Sequence, residues 1–180
     1  MARTSHPSPR RTSPASPRPP VRVRPARAAD LPVLVRHRRQ MFEEIGGWNL
    51  RSLVRSESEY RRWALRERAA HRFFGFVVED PAAGVVGSGV VWLQPAQPRP
   101  APYQRLAMPY IMSMYTDPAF RGQGVASTLV RTMVRWATDR GYRRIFLHAS
   151  KMGRPVYEGL GFESANEMRL DLPVRSRGRR

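Results

Sequence analysis

The stretch Tyr115–Val130, "YTDPAFRGQGVASTLV", constrains the fold of this chain more than any other. It begins at the end of an apolar strand-like run, "PYIMSMYT", and leads at once into "GVASTLVRTMVRWATDR". In that second run Ala126, Leu129, Val130, Met133, Trp136 and Ala137 recur at helical spacing, and Gly141 ends it. A further strand-like run, "RRIFLHA", follows. Such a strand–helix–strand unit belongs in a sheet with its helix packed on one face. The turn between strand and helix carries Pro118, Arg121, Gly122 and Gly124. Glycines there let a ligand approach the backbone closely. Bare N–H groups at a helix start, with a partial positive charge of about half an elementary unit, suit an anion such as a phosphate.

The flanking sequence supplies the other elements. "VRVRPA" alternates as a strand from Val21, and Asp30 stands at a helix cap with Pro32 in the first turn. Leu34, Val35, Met41, Phe42 and Ile45 form one apolar stripe, closed by Gly46-Gly47, with Arg38 inside it. Ser56 and Glu59 match a capping box, which predicts a second helix from there to about Ala70. "RFFGFVV" and "GVVGSGVVWL" flank the turn signals "EDPAAG" as a hairpin. A loop with four prolines runs from Gln94 to about Ala107, Pro155 starts a short helix ending at Gly161, and "NEMRLDL" alternates as a closing strand. The order βααββ, βαβ, αβ makes an α/β (α+β) fold, a mixed sheet with helices on its faces.

At 180 residues, 41% of them hydrophobic, the chain reads as one globular domain. The leader, residues 1–20, is Ser, Pro and Arg with almost nothing apolar and is expected to be disordered; residues 173–180 form a basic tail. The absence of cysteine excludes disulfides, thiolate nucleophiles and Cys-ligated metals, and the four histidines have no metal-site spacing. No metal is therefore expected. Nor does any apolar run approach the roughly 20 residues of a membrane span. Arg10-Arg11 lacks the apolar stretch of an export signal, so a cytoplasmic location is expected. The net charge is +18, and the eight arginines outside residues 21–172 face no acid there, leaving +10 on the domain. That field attracts nucleic acid, anionic membranes and acidic small molecules alike. With no base-stacking aromatics among the arginines of either tail, nucleic acid ranks last.

Downstream of the glycine turn, "HASKMGRPVYEGLGF", His148 to Phe162, follows the next strand, and its Tyr157 lies 36 residues after Arg121. Together with Arg121-x-x-Gly124-x-Ala126, this arrangement resembles the GNAT superfamily of acetyl-CoA-dependent N-acetyltransferases. The likeness is in element order over roughly residues 21–172 and in motif from about Tyr110 to Met168. It implies a mostly antiparallel sheet of six to seven strands with helices on both faces, and acetyl-CoA as cosubstrate. It also implies that backbone N–H groups of Arg121, Gly122, Gln123, Gly124, Val125 and Ala126 hold the pyrophosphate. Met114, Tyr115 and Thr116 would splay from the strand near Arg144, bond the pantetheine arm and aim an N–H at the thioester carbonyl. Tyr157 matches a tyrosine that protonates the leaving thiolate. Ser150 stands where many relatives have an asparagine on the cofactor arm, and Gly153 where alanine is common.

The reaction so implied is attack by a primary amine on the thioester. A fixed N–H facing the growing oxyanion is worth about 2.7–4 kcal/mol. Deprotonating an alkylammonium of pKa near 10.4 costs on the order of 4.6 kcal/mol at pH 7, so something must take the proton. "MPYIMSMYT" holds no carboxylate, and the remaining candidates are Glu43, Glu44, Glu79 and His148. The acceptor pocket is expected between the first two helices, their "GGWN" connection and the proline-rich loop, with Arg38, Glu44 and Trp48 in it and Trp92 as a further wall. Arg38 either snorkels at the stripe's edge or faces a cavity, where it would favour an acceptor bearing a carboxylate. The expected partners are acetyl-CoA and a small-molecule or peptide amine, with the chain a monomer or homodimer. The alternatives are an acyl-CoA-binding module without turnover and, last, a basic nucleic-acid-binding protein.

Overall fold

A computed structural model of the chain describes residues 21–98, 100 and 106–170. The predicted leader and basic tail, and the last two residues of the predicted closing strand, lie outside the described residues. Strand β1 (Arg22–Pro25) and a short 3-10 turn (Ala28–Asp30) lead into helices α1 (Leu31–Ile45) and α2 (Leu50–Ala69). Next come β2 (Phe73–Asp80), β3 (Gly84–Pro95) and β4 (Ala107–Thr116), then α3 (Val125–Asp139), β5 (Phe146–Leu147) and α4 (Arg154–Glu158). The five strands form one sheet in sequence order, antiparallel throughout except that β5 runs parallel to β4.

The sheet separates two cores. On one face, Leu129, Val130 and Met133 of α3 are fully buried against Phe76, Val78, Val91 and Ile111. On the other, Leu34 and Val35 of α1 and Tyr60 and Ala64 of α2 cover Phe73, Val77 and Val90. Each fully buried aliphatic side chain contributes about 1.5–3 kcal/mol relative to exposure. The α3 stripe is where the helical spacing put it. The α1 stripe stops short of its predicted end, since Ile45 is 55% exposed.

Two boundaries differ from the sequence reading. Helix α2 begins at Leu50, because the Asn49 side chain accepts from the Ser52 amide at 2.8 Å and caps it there. The Ser56/Glu59 pair is mid-helix instead: Ser56 Oγ accepts from Arg38, and Glu59 pairs with Arg55 one turn away. The expected closing strand is absent among the described residues, with Met168 96% and Leu170 81% exposed. Alternation alone does not bury a strand that lacks a neighbour to pair with, so five strands stand where six or seven were expected.

Candidate functional site

The connection from β4 to α3 is held rigidly at its start and left open at its end. The Asp117 amide donates to Val86 O at 2.8 Å, and its carboxylate accepts from the Ala119 amide at 3.0 Å. Gly122 (φ +72°) and Gly124 (φ +77°) are in the left-handed region, which is why side chains are missing there; a Cβ at either would meet nothing within 4 Å. Gly124 is the N-cap of α3 and supplies no side-chain acceptor. The first helical amide with a backbone acceptor is Thr128, which donates to Gly124 O at 2.9 Å. The amides of Val125, Ala126 and Ser127 therefore point out of the helix start without an acceptor among the described residues.

Arg121 behaves differently from the residues after it. Its amide donates to Pro118 O at 3.3 Å, so it is not one of the open donors. Its side chain turns back, Nε donating to Thr116 O at 3.0 Å and Nη2 to both oxygens of Glu44 at 2.6 and 2.7 Å. The arginine thus ties the C-terminal end of α1 to the end of β4. Glu44, expected in an acceptor pocket, is bound up in that pair.

Next to this turn the sheet opens. β4 and β5 pair only at Tyr110↔Phe146 and Ile111↔Leu147, after which β4 runs on to Thr116 with β3 alone beside it. Within that free stretch Ser113 takes φ +53°, and the β3–β4 register skips from Val90↔Met112 to Ser88↔Tyr115. This is a β-bulge, and the bend re-aims the residues beyond it. Met114 turns to the α3 face beside Gly89, where an added Cβ would collide with the Met114 sulfur and approach Met133 Cε to 2.6 Å. Tyr115 turns to the α1 face, 4.7 Å from the His37 ring.

Across the opening stands α4. Tyr157 packs edge-on to Phe162 with centroids 5.8 Å apart, at the border of the α3-side core. Gly153 leaves room for the ring, since a Cβ there would lie 3.1 Å from Tyr157 Cε2. Burial pushes the Tyr157 phenol above its ordinary range, and among the described residues its hydroxyl has no hydrogen-bond partner. Ser150 Oγ accepts from the Gly153 amide at 3.1 Å and so fixes the turn that leads into α4.

The α1/α2 face contributes side chains. His37 is buried, with Nδ1 2.9 Å from Ser88 Oγ; desolvation, aided by Arg36, lowers its pKa to about 4. Tyr60 donates to Ser113 Oγ, the bulge residue, at 3.4 Å. The Arg38 guanidinium lies between the rings of Phe42 and Tyr60 and does not run past the stripe as a snorkelling head would. Trp48 meets Phe42 edge-on at 5.9 Å and is 57% exposed. Trp92, expected to wall the same pocket, is instead committed to α2: its Nε1 donates to Glu67 at 2.8 Å and its ring meets Trp63. Of the proposed bases, Glu43 holds Arg39, Glu44 holds Arg121 and Glu79 holds Arg24, while His148 is exposed just past β5. His37, Ser88, Tyr60 and Ser113 were missed by the sequence reading. Their signal was a polar residue at an inward position of an apolar stripe or strand.

Among the described residues no group of His, Asp and Glu could hold a metal ion, and no helix is long and apolar enough to cross a membrane. The fold is thus a mixed sheet that splits beside an uncapped, glycine-started helix. The Acetyltransferase (GNAT) family model matches residues 39–162. A GCN5-related N-acetyltransferase from Ralstonia eutropha superposes with a TM-score of 0.76 at 27% identity, covering 87% of this chain and all of that one. A predicted acetyltransferase from Clostridium acetobutylicum, solved with acetyl-CoA, gives 0.73 at 28% identity, covering 85% and 96%. Among curated proteins, a glucosamine 6-phosphate N-acetyltransferase from Trypanosoma brucei brucei is 31% identical over 94 residues, 52% of this chain and 61% of that one. Human N-acetyltransferase 8B is 30% identical over 92 residues, 49% and 37% of the two chains. The chain thus spans less than two thirds of these curated relatives. It belongs to the Acetyltransferase (GNAT) family.

Proposed function

We propose that residues 21–172 form an N-acetyltransferase domain that transfers the acetyl group of acetyl-CoA to a primary amine by direct attack on the thioester. The observation that carries this reading is the uncapped start of α3 beside the free end of β4. The residues fit a diphosphate-bearing acyl donor: three first-turn amides lack acceptors, and two left-handed glycines keep side chains away from them. Gly122, Gly124, Val125 and Ala126 hold the pyrophosphate, with Ser127 added to the set and the Arg121 amide removed from it. Gln123, within the same turn, presents its amide as the resemblance implies.

The thioester supplies an activated carbonyl whose leaving group is a thiolate. Met114, Tyr115 and Thr116, freed from β5 by the splay and re-aimed by the bulge, bond the pantetheine arm. One of their amides faces the developing oxyanion, where a fixed donor is worth about 2.7–4 kcal/mol. Tyr157 donates the proton to the departing sulfur. Its raised pKa suits that role, because the phenol stays protonated throughout the neutral range. Ser150 orients the α4 turn and leaves its own hydroxyl proton for the cofactor arm. Glu43, Glu44 and Glu79 are each already paired with a guanidinium, so none stands free to face an incoming amine. The amine therefore reacts through its neutral fraction, and the proton it sheds as the amide forms passes through water to the Tyr157 oxygen, which has given its own to the sulfur.

Calorimetry with coenzyme A and thiol release from acetyl-CoA across a broad amine panel test this together. Micromolar binding with turnover of at least one amine is the expected result. Binding without turnover would leave an acyl-CoA-binding module, and no binding at all would overturn the reading.

A further inference from the structure

Arg24, Arg39, Arg55, Arg72, Arg121 and Arg154 each hold a carboxylate. Arg38 holds none among the described residues. Its guanidinium carbon lies 4.6 Å from the Phe42 centroid and 4.3 Å from that of Tyr60, and Nη1 donates to Ser56 Oγ at 3.0 Å. A guanidinium has five N–H donors, so most of this one's find no acceptor among the described residues. The acids nearby on α1 and α2 are taken, Glu43 and Glu57 by Arg39 and Glu44 by Arg121. Burial lowers the Arg38 pKa, yet none of its nitrogens is both buried and unpaired, so its remaining N–H groups stay accessible from outside.

The position is as informative as the lack of a partner. Tyr60, stacked on Arg38, donates to Ser113, and Ser113 is the bulge that sends Met114–Thr116 past the end of β5. One aromatic ring separates the cation from the strand segment assigned to the reacting carbonyl. The two rings also fix the guanidinium plane, leaving its edge to meet a flat, bidentate acceptor. The domain's excess positive charge draws anions to it and repels polycations.

We propose that Arg38 recognises an anionic group on the acceptor, a carboxylate or a phosphate, so that the substrate is an amine that also carries negative charge. This rests on the acetyltransferase reading of the same site.

The test compares glycine with glycinamide and O-phosphoethanolamine with ethanolamine, by thiol release, in the wild type, Arg38→Lys and Arg38→Met. One anionic amine should exceed its neutral counterpart in kcat/KM by about tenfold, the scale of a hydrogen bond to a charged group. Glycinamide has the less basic amine, so intrinsic reactivity works against that order. Arg38→Met should abolish the preference, raising the KM of the anionic amine about tenfold more than that of its neutral counterpart while coenzyme A binds as before, and Arg38→Lys should restore part of it. Whichever pair responds names the anion. Equal use of charged and neutral amines by the wild type, or a uniform loss in Arg38→Met, overturns the inference and leaves the acetyltransferase reading standing. Should no amine be acetylated, calorimetry with N-acetylglycine and N-acetylglycinamide decides it separately: binding of the acid that needs Arg38 supports it, and equal or absent binding ends it.

Discussion

On the α3 face of the sheet, the polar groups at the site belong to the backbone: the first-turn amides of α3 and the free edge of β4 beyond Ile111. On the α1/α2 face they belong to side chains, with His37 on Ser88, Tyr60 on Ser113, Arg38 between two rings and Glu44 on Arg121. The first kind of site depends on φ angles and glycine, and changing a neighbouring side chain barely alters it. The second depends on each side chain finding its partner across the fold, and one substitution leaves a buried group stranded.

Tyr157, the proposed acid, is the exception on the α3 face, a side chain where the other groups are backbone. Tyr157→Phe should lower kcat by about 10²–10⁴-fold while coenzyme A binds as before, measured by thiol release and calorimetry. An unchanged kcat would remove the tyrosine from the chemistry. Next in size is the glycine turn. Gly124→Val forces a β-branched residue into φ +77°, a strain of about 1–2 kcal/mol that should appear as weaker coenzyme A binding and a lower Tm. Ser127→Ala, which keeps the amide, should bind within about twofold of wild type; a larger loss would mean that the side chain, not the backbone, is the donor.

The pH profile sharpens the comparison further. With the acids paired, kcat/KM should keep rising above about pH 8, past the ordinary histidine pKa of about 6.5. A plateau near that pKa, abolished by His148→Gln, would make His148 the base instead. The raised Tyr157 pKa places any falling limb above the neutral range.

The side-chain face should also be the acid-labile one. His37 has its folded pKa depressed from 6.5 to about 4, so below pH 6.5 the unfolded chain takes up a proton that the folded one refuses. Stability is therefore lost as pH falls from 6.5 to about 4, by up to about 1.4 kcal/mol per pH unit. His37→Gln should flatten the urea midpoint across that window. Glu67 acts in the same way at lower pH, its pKa drawn from 4.5 to about 2, first by Arg72 and then by Trp92. Its contribution is present above pH 4.5 and disappears toward pH 2, and Glu67→Gln should remove that last step from an acid titration followed by tryptophan fluorescence.

Each feature was legible in the sequence to the extent that it depends on neighbouring residues alone. The α3 stripe and the Gly122/Gly124 turn are local: helical period and positive φ are properties of a few adjacent residues. The capping box at Ser56 was local too, yet it misled, because Asn49 offered a cap seven residues earlier and Ser56 found Arg38 across the helix pair. "NEMRLDL" has a strand's alternation but no neighbour to pair with among the described residues. Arg121 was read for its amide and its charge, and its side chain turned to a carboxylate 77 positions away.

By itself, then, the amino-acid order determined a strand that ends in glycines and restarts as a helix with bare amides, together with the tyrosine helix downstream. Those depend on torsion preferences and on periodicity, which act over a turn or two of chain. Only the tertiary structure decided which arginines pair with a carboxylate and that Arg38 lies against Phe42 and Tyr60 instead. Ion pairing and burial depend on distances between residues far apart in the chain, and no local pattern carries them.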